Sequence, residues 1–433
     1  MPHSFDTEAE ATGLCAYVDA SPSPFHACAQ ASTRLEAAGF RRLLETDAWP
    51  ADPGRYYLLR GGSLVAWSSE YADGPATPFR VVGAHTDSPN LRVKPQPDLA
   101  RAGWQLLGVE VYGGALLNSW LDRDLGLSGR VALRGPDGAV EHRLVQVDEA
   151  VLRVPQLAIH LDREVNEGLK LNPQQHLVPV WGVGTSPGDF RAYVAKACDT
   201  DADAVLGWEL MTHDLTPSRR IGRDGDLLAA PRLDNLATSY AGVRALVAAV
   251  ERRPGTPWVP ALVLFDHEEV GSMSERGAFS TLLPAVLERV VGAAGGERDD
   301  YLRALAGSVI ASGDMAHATH PNYADRHDPE HRVRINGGPV LKTNAKLRYA
   351  TDAIGAGAFV AACEQAGVPV QHFVSRSDLP CGSTVGPMTA ALTGATTVDF
   401  GAPTLSMHSA REMCGALDPA MYAGALSAFL SPA

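Results

Sequence analysis

The sequence predicts an α/β domain built on a mixed sheet and interrupted by a β-rich insertion. Three observations predict it. Over residues 1–95 and 231–433, short apolar runs alternate with helical stretches, the pattern of a sheet flanked by helices. Residues 96–230 instead show two-residue alternation and turn-forming clusters. Ligand-type residues stand repeatedly where apolar runs end, and open α/β sheets place their sites at the carboxyl ends of strands. The outer segments then form one discontinuous domain.

Phe79 to Ala84 reads as a strand, followed by His85-Thr86-Asp87-Ser88-Pro89. His85 and Asp87, two apart, project from one face of an extended chain. A metal-bound imidazole usually donates its other N–H to a carboxylate, and His-x-Asp supplies both members. A surface histidine beside a turn aspartate explains the pair equally well. In the middle segment, Trp104 to Tyr112 alternates, while Arg130–Arg134 and His142–Val147 flank Gly135-Pro136-Asp137-Gly138, a β-hairpin with its turn residues in place.

Asp234, in Arg232-Leu233-Asp234-Asn235, precedes apolar residues at 236, 240, 243, 247 and 250, one face of a helix. Taken alone, N-capping suffices to explain this aspartate. The run Ala261-Leu262-Val263-Leu264-Phe265 reads as a buried parallel strand and ends in Asp266-His267-Glu268-Glu269. One carboxylate there is a cap; two adjacent ones exceed what a cap requires. Val309–Gly313 leads into Asp314 and His317, and Ser406-Met407-His408-Ser409 leads to Glu412. His317 and His320 are equally readable as loop histidines.

The combination carries more than any part. Two histidines (His85, His408) and three carboxylates (Asp234, Glu269, Asp314) match the ligand chemistry of paired Zn²⁺ ions. Three converging carboxylates without cations would repel one another. Glu268 remains over as a non-ligand carboxylate, the place of a general base.

At these residues the chain resembles the M18 metallopeptidases, the aspartyl aminopeptidase group. The resemblance spans nearly the whole chain. It includes Gly83–Pro89, Trp120–Leu125, Ala158–Leu161, Arg232–Asn235, Glu268–Ser272, Gly313–His317, Arg348–Ala350 and Met407–Ser409, in the family's order. It implies a zinc-peptidase α/β catalytic domain with the β-rich insertion used in assembly. One metal would be held by His85, Asp234 and Asp314, and a second by Asp234, Glu269 and His408, with Asp234 bridging. Glu268 would be the base, and Asp87 the partner of His85. His317, Lys342 and Tyr349 match substrate-contacting positions, and His160 matches a histidine that reaches a neighbouring subunit's site. Lys342 is the matched cation for an acidic N-terminal side chain. The implied activity is hydrolysis of the N-terminal residue of peptides, preferring Asp or Glu, by tetrahedral dodecamers. The implied cofactor is two Zn²⁺ per subunit, with Mn²⁺ or Co²⁺ as substitutes. A neutral-residue aminopeptidase or a deacylase uses the same ligands. A metal-storing scaffold needs no Glu268.

The remaining composition is consistent with this. The 433 residues allow two or three domains, and 45% hydrophobic with 20% charged residues is ordinary for a globular chain. A net charge of −13 argues against nucleic acid or an anionic membrane as partner. Apolar runs are far shorter than a membrane span. Met1 to Glu10 is polar without an apolar secretory core. Six scattered cysteines read as reduced thiols of a cytoplasmic protein. Residues 293–300 read as a glycine- and charge-rich surface loop.

Overall fold

The computed structural model describes residues 5–252 and 255–433. Met1–Ser4, where the polar N-terminal stretch starts, lie outside the described residues. The chain divides into two units. The first comprises Met1–Asp87, Ser218–Met407 and Glu412–Ala433; the second comprises Ser88–Pro217 with His408–Arg411. These borders precede the expected 95/96 and 230/231. The strand Asn90–Arg101 pairs with Trp104–Tyr112, so the change of pattern at residue 96 falls inside a strand. Arg219–Ile221 and Leu227–Ala230 resemble inserted strands in composition, yet Leu227–Ala230 pairs with Glu412–Gly415 of the first unit.

The first unit holds a nine-stranded mixed sheet. Its order is Arg41–Arg42, Arg55–Arg60, Ser63–Ser68, Val259–Phe265, Phe79–His85, Val309–Gly313, Thr396–Gly401, Val340–Thr343 and Gln371–Val374. At its centre four strands run parallel, with Phe265 opposite His85, Ser312 opposite Gly83 and Gly313 opposite Phe400. Every residue of Val259–Phe265 is buried, because helices cover both faces. Alternate side chains point to opposite faces, so Val82, Leu262 and Leu264 join the core beneath Leu233–Val250 and Asp418–Leu430. Val81, Val263 and Phe265 pack with Leu282–Ala293 and Arg298–Ala306 on the other side. Each such buried side chain contributes about 1.5–3 kcal/mol. The strand thus reads as a continuous apolar run rather than an alternating one.

The second unit contains a six-stranded antiparallel sheet ordered Val140–Leu152, Leu125–Arg134, Val205–Asp214, Asn90–Arg101, Trp104–Tyr112 and Val180–Val183. The Gly135–Gly138 turn closes its hairpin, with the Gly135 N–H donating to the Ala139 carbonyl at 2.8 Å.

The stretch 293–300 is a loop only in part. Arg298–Ala306 is helical and starts on a reciprocal capping box between Glu297 and Asp300, so charges read as loop-forming are helix-starting. All six cysteines are free thiols, with Cys28, Cys198, Cys363 and Cys414 buried. No helix among the described residues is long and apolar enough to cross a membrane.

Candidate metal centre

Adjacent parallel strands deliver the ligand-type side chains to one sheet edge. His85 ends Phe79–His85, Asp314 follows Val309–Gly313, and Glu268-Glu269 lie three residues beyond Val259–Phe265. Asp234 comes from the first turn of the Leu233–Val250 helix. There Asp234 and Asn235 depart from helical dihedrals, and no side chain caps the helix. The capping explanation for Asp234 is thereby replaced. Its own N–H donates to the Glu412 carboxylate at 2.9 Å, and the Asn235 amide donates to the Gly313 carbonyl at 2.8 Å.

Among the described residues, ligand atoms of His85, Asp234 and Glu269 lie within 4.8 Å of one another. The His85 Nε2 is 3.3 Å from Asp234 Oδ1 and 3.6 Å from Asp314 Oδ1. Its Nδ1 lies 2.9 Å from the Asp87 backbone carbonyl and 3.4 Å from the Asp87 carboxylate. A carbonyl only accepts, so Nδ1 carries a proton and Nε2 faces the acids. The imidazole partner is thus chiefly the Asp87 main chain, where the carboxylate was expected. That carboxylate, fully buried, also accepts the N–H of Glu268 on Oδ1 and of Glu269 on Oδ2, each at 3.1 Å. It ties the histidine strand to the glutamate turn.

The electrostatics follow from crowding. Burial opposes charge on His85, but Asp234, Asp314 and Asp87 outweigh it and raise its pKa well above the ordinary value. Glu268 is pushed up to about 8, by burial first and then by Asp314, Asp87 and Asp234, with His85 working against them. Glu269 is raised well above the carboxylate range by burial and Asp234. Imidazole nitrogen and carboxylate oxygens gathered in this way, each acid disfavouring its neighbour's charge, suit a zinc ion in donor type and in need of positive charge.

The other expected residues fall in three places. Lys342, His317 and Tyr349 lie together in the first unit. The Lys342 ammonium is buried and donates to the carbonyls of Asp314 and Met315 at 3.0 and 3.2 Å. It lies 3.9 Å from the Asp314 carboxylate and 5.1 Å from the Tyr349 ring centre. Gly401 permits this arrangement, since a Cβ there would collide with the Asp314 carbonyl oxygen. His317 packs edge-on against Phe373, and its pKa is lowered by desolvation and by Lys342. His408 is grouped with the second unit and has its Nδ1 3.0 Å from the Gly114 carbonyl, which leaves the lone pair on Nε2. His160 belongs to the second unit and is exposed, between Ile159 (50% exposed) and Leu161 (75% exposed).

Two supports escaped the sequence reading. Glu412 fixes the Asp234 backbone, as above. Asp266 accepts from Arg276 at 2.9 Å inside the protein, and the Arg276 guanidinium also lies 3.2 Å from His267. This bracket precedes the glutamate turn, where His267 adopts φ 66°. An acidic residue two positions before Glu268 was the available signal for Asp266; for Glu412 there was none.

The model of the "Aminopeptidase I zinc metalloprotease (M18)" family matches residues 17–430. A "Probable M18 family aminopeptidase 2" of Mycobacterium bovis is 57% identical over 427 residues, 98% of each chain. A solved chain described as the Ape4 and Nbr1 complex is 36% identical at TM-score 0.94, covering 100% of this chain and 87% of that one. The mApe1 dodecamer of Saccharomyces cerevisiae is 26% identical at TM-score 0.84, covering 98% and 96%.

Proposed function

Since the chain belongs to the M18 family of zinc aminopeptidases, we propose that it removes the N-terminal residue of peptides at the cluster above, with Asp or Glu preferred there. The observation that carries the reading is the approach of His85, Asp234 and Glu269 within 4.8 Å, with Glu268 next in sequence.

We assign two zinc ions per subunit, with Mn²⁺ or Co²⁺ able to substitute. His85 and Asp314 would serve one ion, Glu269 and His408 the other, and Asp234 both. Bound zinc supplies Lewis acidity toward the scissile carbonyl and toward water, and makes water a nucleophile at neutral pH. Glu268 takes the proton of the attacking water and returns it to the departing amine. Asp87 holds the Glu268 and Glu269 amides and sets the tautomer of His85. His317 and Tyr349 wall the space beside Asp314, and Lys342 acts there through its buried charge.

A homo-oligomer, arranged as a tetrahedral dodecamer through the 88–217 unit, completes the reading. Support comes from the S. cerevisiae dodecamer and from exposed Leu157, Ile159 and Leu161 around His160. Apolar side chains clustered in water favour a partner surface. His160 would enter a neighbouring subunit's site. The free cysteines favour a cytoplasmic location.

The test is zinc per chain together with release of free Asp, Glu and Leu from peptides, before and after chelation. We expect two zincs and chelator-sensitive release, faster from acidic N-termini. Two zincs retained by Asp234→Ala would remove the bridging role. Faster release of Leu would remove the acidic preference alone. No release by zinc-replete protein would remove the function.

A further inference from the structure

A cavity of about 250 Å³ opens beside the Asp314–His317 segment. His317, Tyr349 and Phe373 form part of its wall; Arg326, His327 and Arg376 form another part. Among the described residues no carboxylate lines it, which sets it apart from the acid-rich cluster. A cavity with two guanidinium groups and no acid on its wall is built for an anion.

Arg376 is held for that task from outside the cavity. Its Nε pairs with Asp378 at 2.7 Å, and its Nη1 donates to the Asp325 carbonyl. Neither partner lines the cavity. These contacts orient the planar fork while Nη2 has no hydrogen bond among the described residues. Arg326 approaches the Asp325 carboxylate only to 4.0 Å. Lys342, by contrast, commits two of its three donors to the carbonyls of Asp314 and Met315. It is therefore poorly placed to grip a substrate carboxylate directly.

We infer that Arg376, assisted by Arg326, reads a carboxylate of the substrate in this cavity. A guanidinium fork matches a carboxylate in charge and geometry. The inference rests on the aminopeptidase reading. The carboxylate has two possible sources in a peptide: an acidic side chain on the N-terminal residue, or the free C-terminus of a short peptide.

The test compares native protein with Arg376→Gln, Arg376→Lys and Arg326→Gln, each at full zinc content and with a native-like melting temperature. The substrates are Glu-Ala, Glu-Ala amide, Leu-Ala and Leu-Ala amide. Leu-Ala amide carries neither carboxylate and sets the reference rate. Relative to it, Arg376→Gln should lose about tenfold or more in kcat/KM on the substrates whose carboxylate is read. Loss on both Glu substrates identifies the side chain; loss on both free acids identifies the C-terminus. Arg376→Lys should recover part of the loss by restoring charge without the fork. An equal loss on all four substrates, or none on any, overturns the inference. Absence of turnover by the native protein on all four would instead overturn the aminopeptidase reading.

Discussion

Replacing Asp87 with asparagine isolates the joint between the histidine strand and the glutamate turn. The native carboxylate offers one oxygen to the Glu268 N–H and the other to the Glu269 N–H, at 3.1 Å each, in full burial. Asparagine keeps one acceptor and turns an NH₂ toward the second amide. A buried donor left without a partner costs about 1–3 kcal/mol. At about 1.4 kcal/mol per tenfold change in rate, that corresponds to roughly one to two decades if it falls on the placement of Glu268. The backbone carbonyl of Asp87, which sets the His85 tautomer, is unchanged, so zinc should remain bound. The assay is kcat/KM on an N-terminal Glu peptide, with zinc per chain and a melting curve on the same preparation. We expect a 10–100-fold loss at full zinc content, with a lowered melting temperature. Parental kcat/KM in the zinc-replete variant would refute the idea that this carboxylate positions the catalytic turn.

Three further outcomes follow from the same geometry. Glu268→Gln should retain zinc and lose about 10²–10⁴ in rate; near-normal turnover would remove Glu268 as the base. Lys342→Met strips the donor from the Asp314 and Met315 carbonyls, so activity should fall on Glu and Leu substrates alike, and a loss confined to Glu substrates would show direct side-chain recognition instead. Asp418, buried under the amides of Asn336, Gly338 and Gly415, is raised from 3.8 to about 7 by its burial, against those hydrogen bonds. The folded protein therefore holds this proton where the unfolded chain has lost it, and the stability tied to it declines as pH rises from about 4 to about 7. In urea melts, the advantage of the native protein over Asp418→Asn should shrink across that window; an advantage that widens would contradict the burial argument.

The legible parts of the fold and site were those set by local pattern. Val259–Phe265 is buried on both faces and therefore reads as one apolar run with its acids at the end. His85 and Asp234 were visible for a related reason, as polar residues at the borders of apolar patterns. Long-range supports were not legible. Glu412 reads as an ordinary charged residue, and its bond to the Asp234 amide depends on strand pairing between distant segments. Lys342 lies inside the protein although lysine is usually solvated; the carbonyls of Asp314 and Met315, with the Asp314 carboxylate and the Tyr349 ring nearby, explain its burial. Asp87 was read through its side chain, while the contact that orients His85 comes chiefly from its backbone. The unit borders shifted because Leu227–Ala230 has the composition of the insertion and the partners of the first unit.

The bond from Glu412 to Asp234 spans 178 positions. Its strand, Glu412–Gly415, is followed by a C-terminal helix in which all residues but Met421 are buried, packed on the helix that Asp234 begins. During synthesis, every earlier ligand-type residue emerges before the segment that steadies Asp234. Until that segment is in place, the Asp234 N–H lacks the Glu412 carboxylate that accepts from it. A chain cut between residues 408 and 412 would keep every one of the proposed ligands and lose the carboxylate that holds the Asp234 amide.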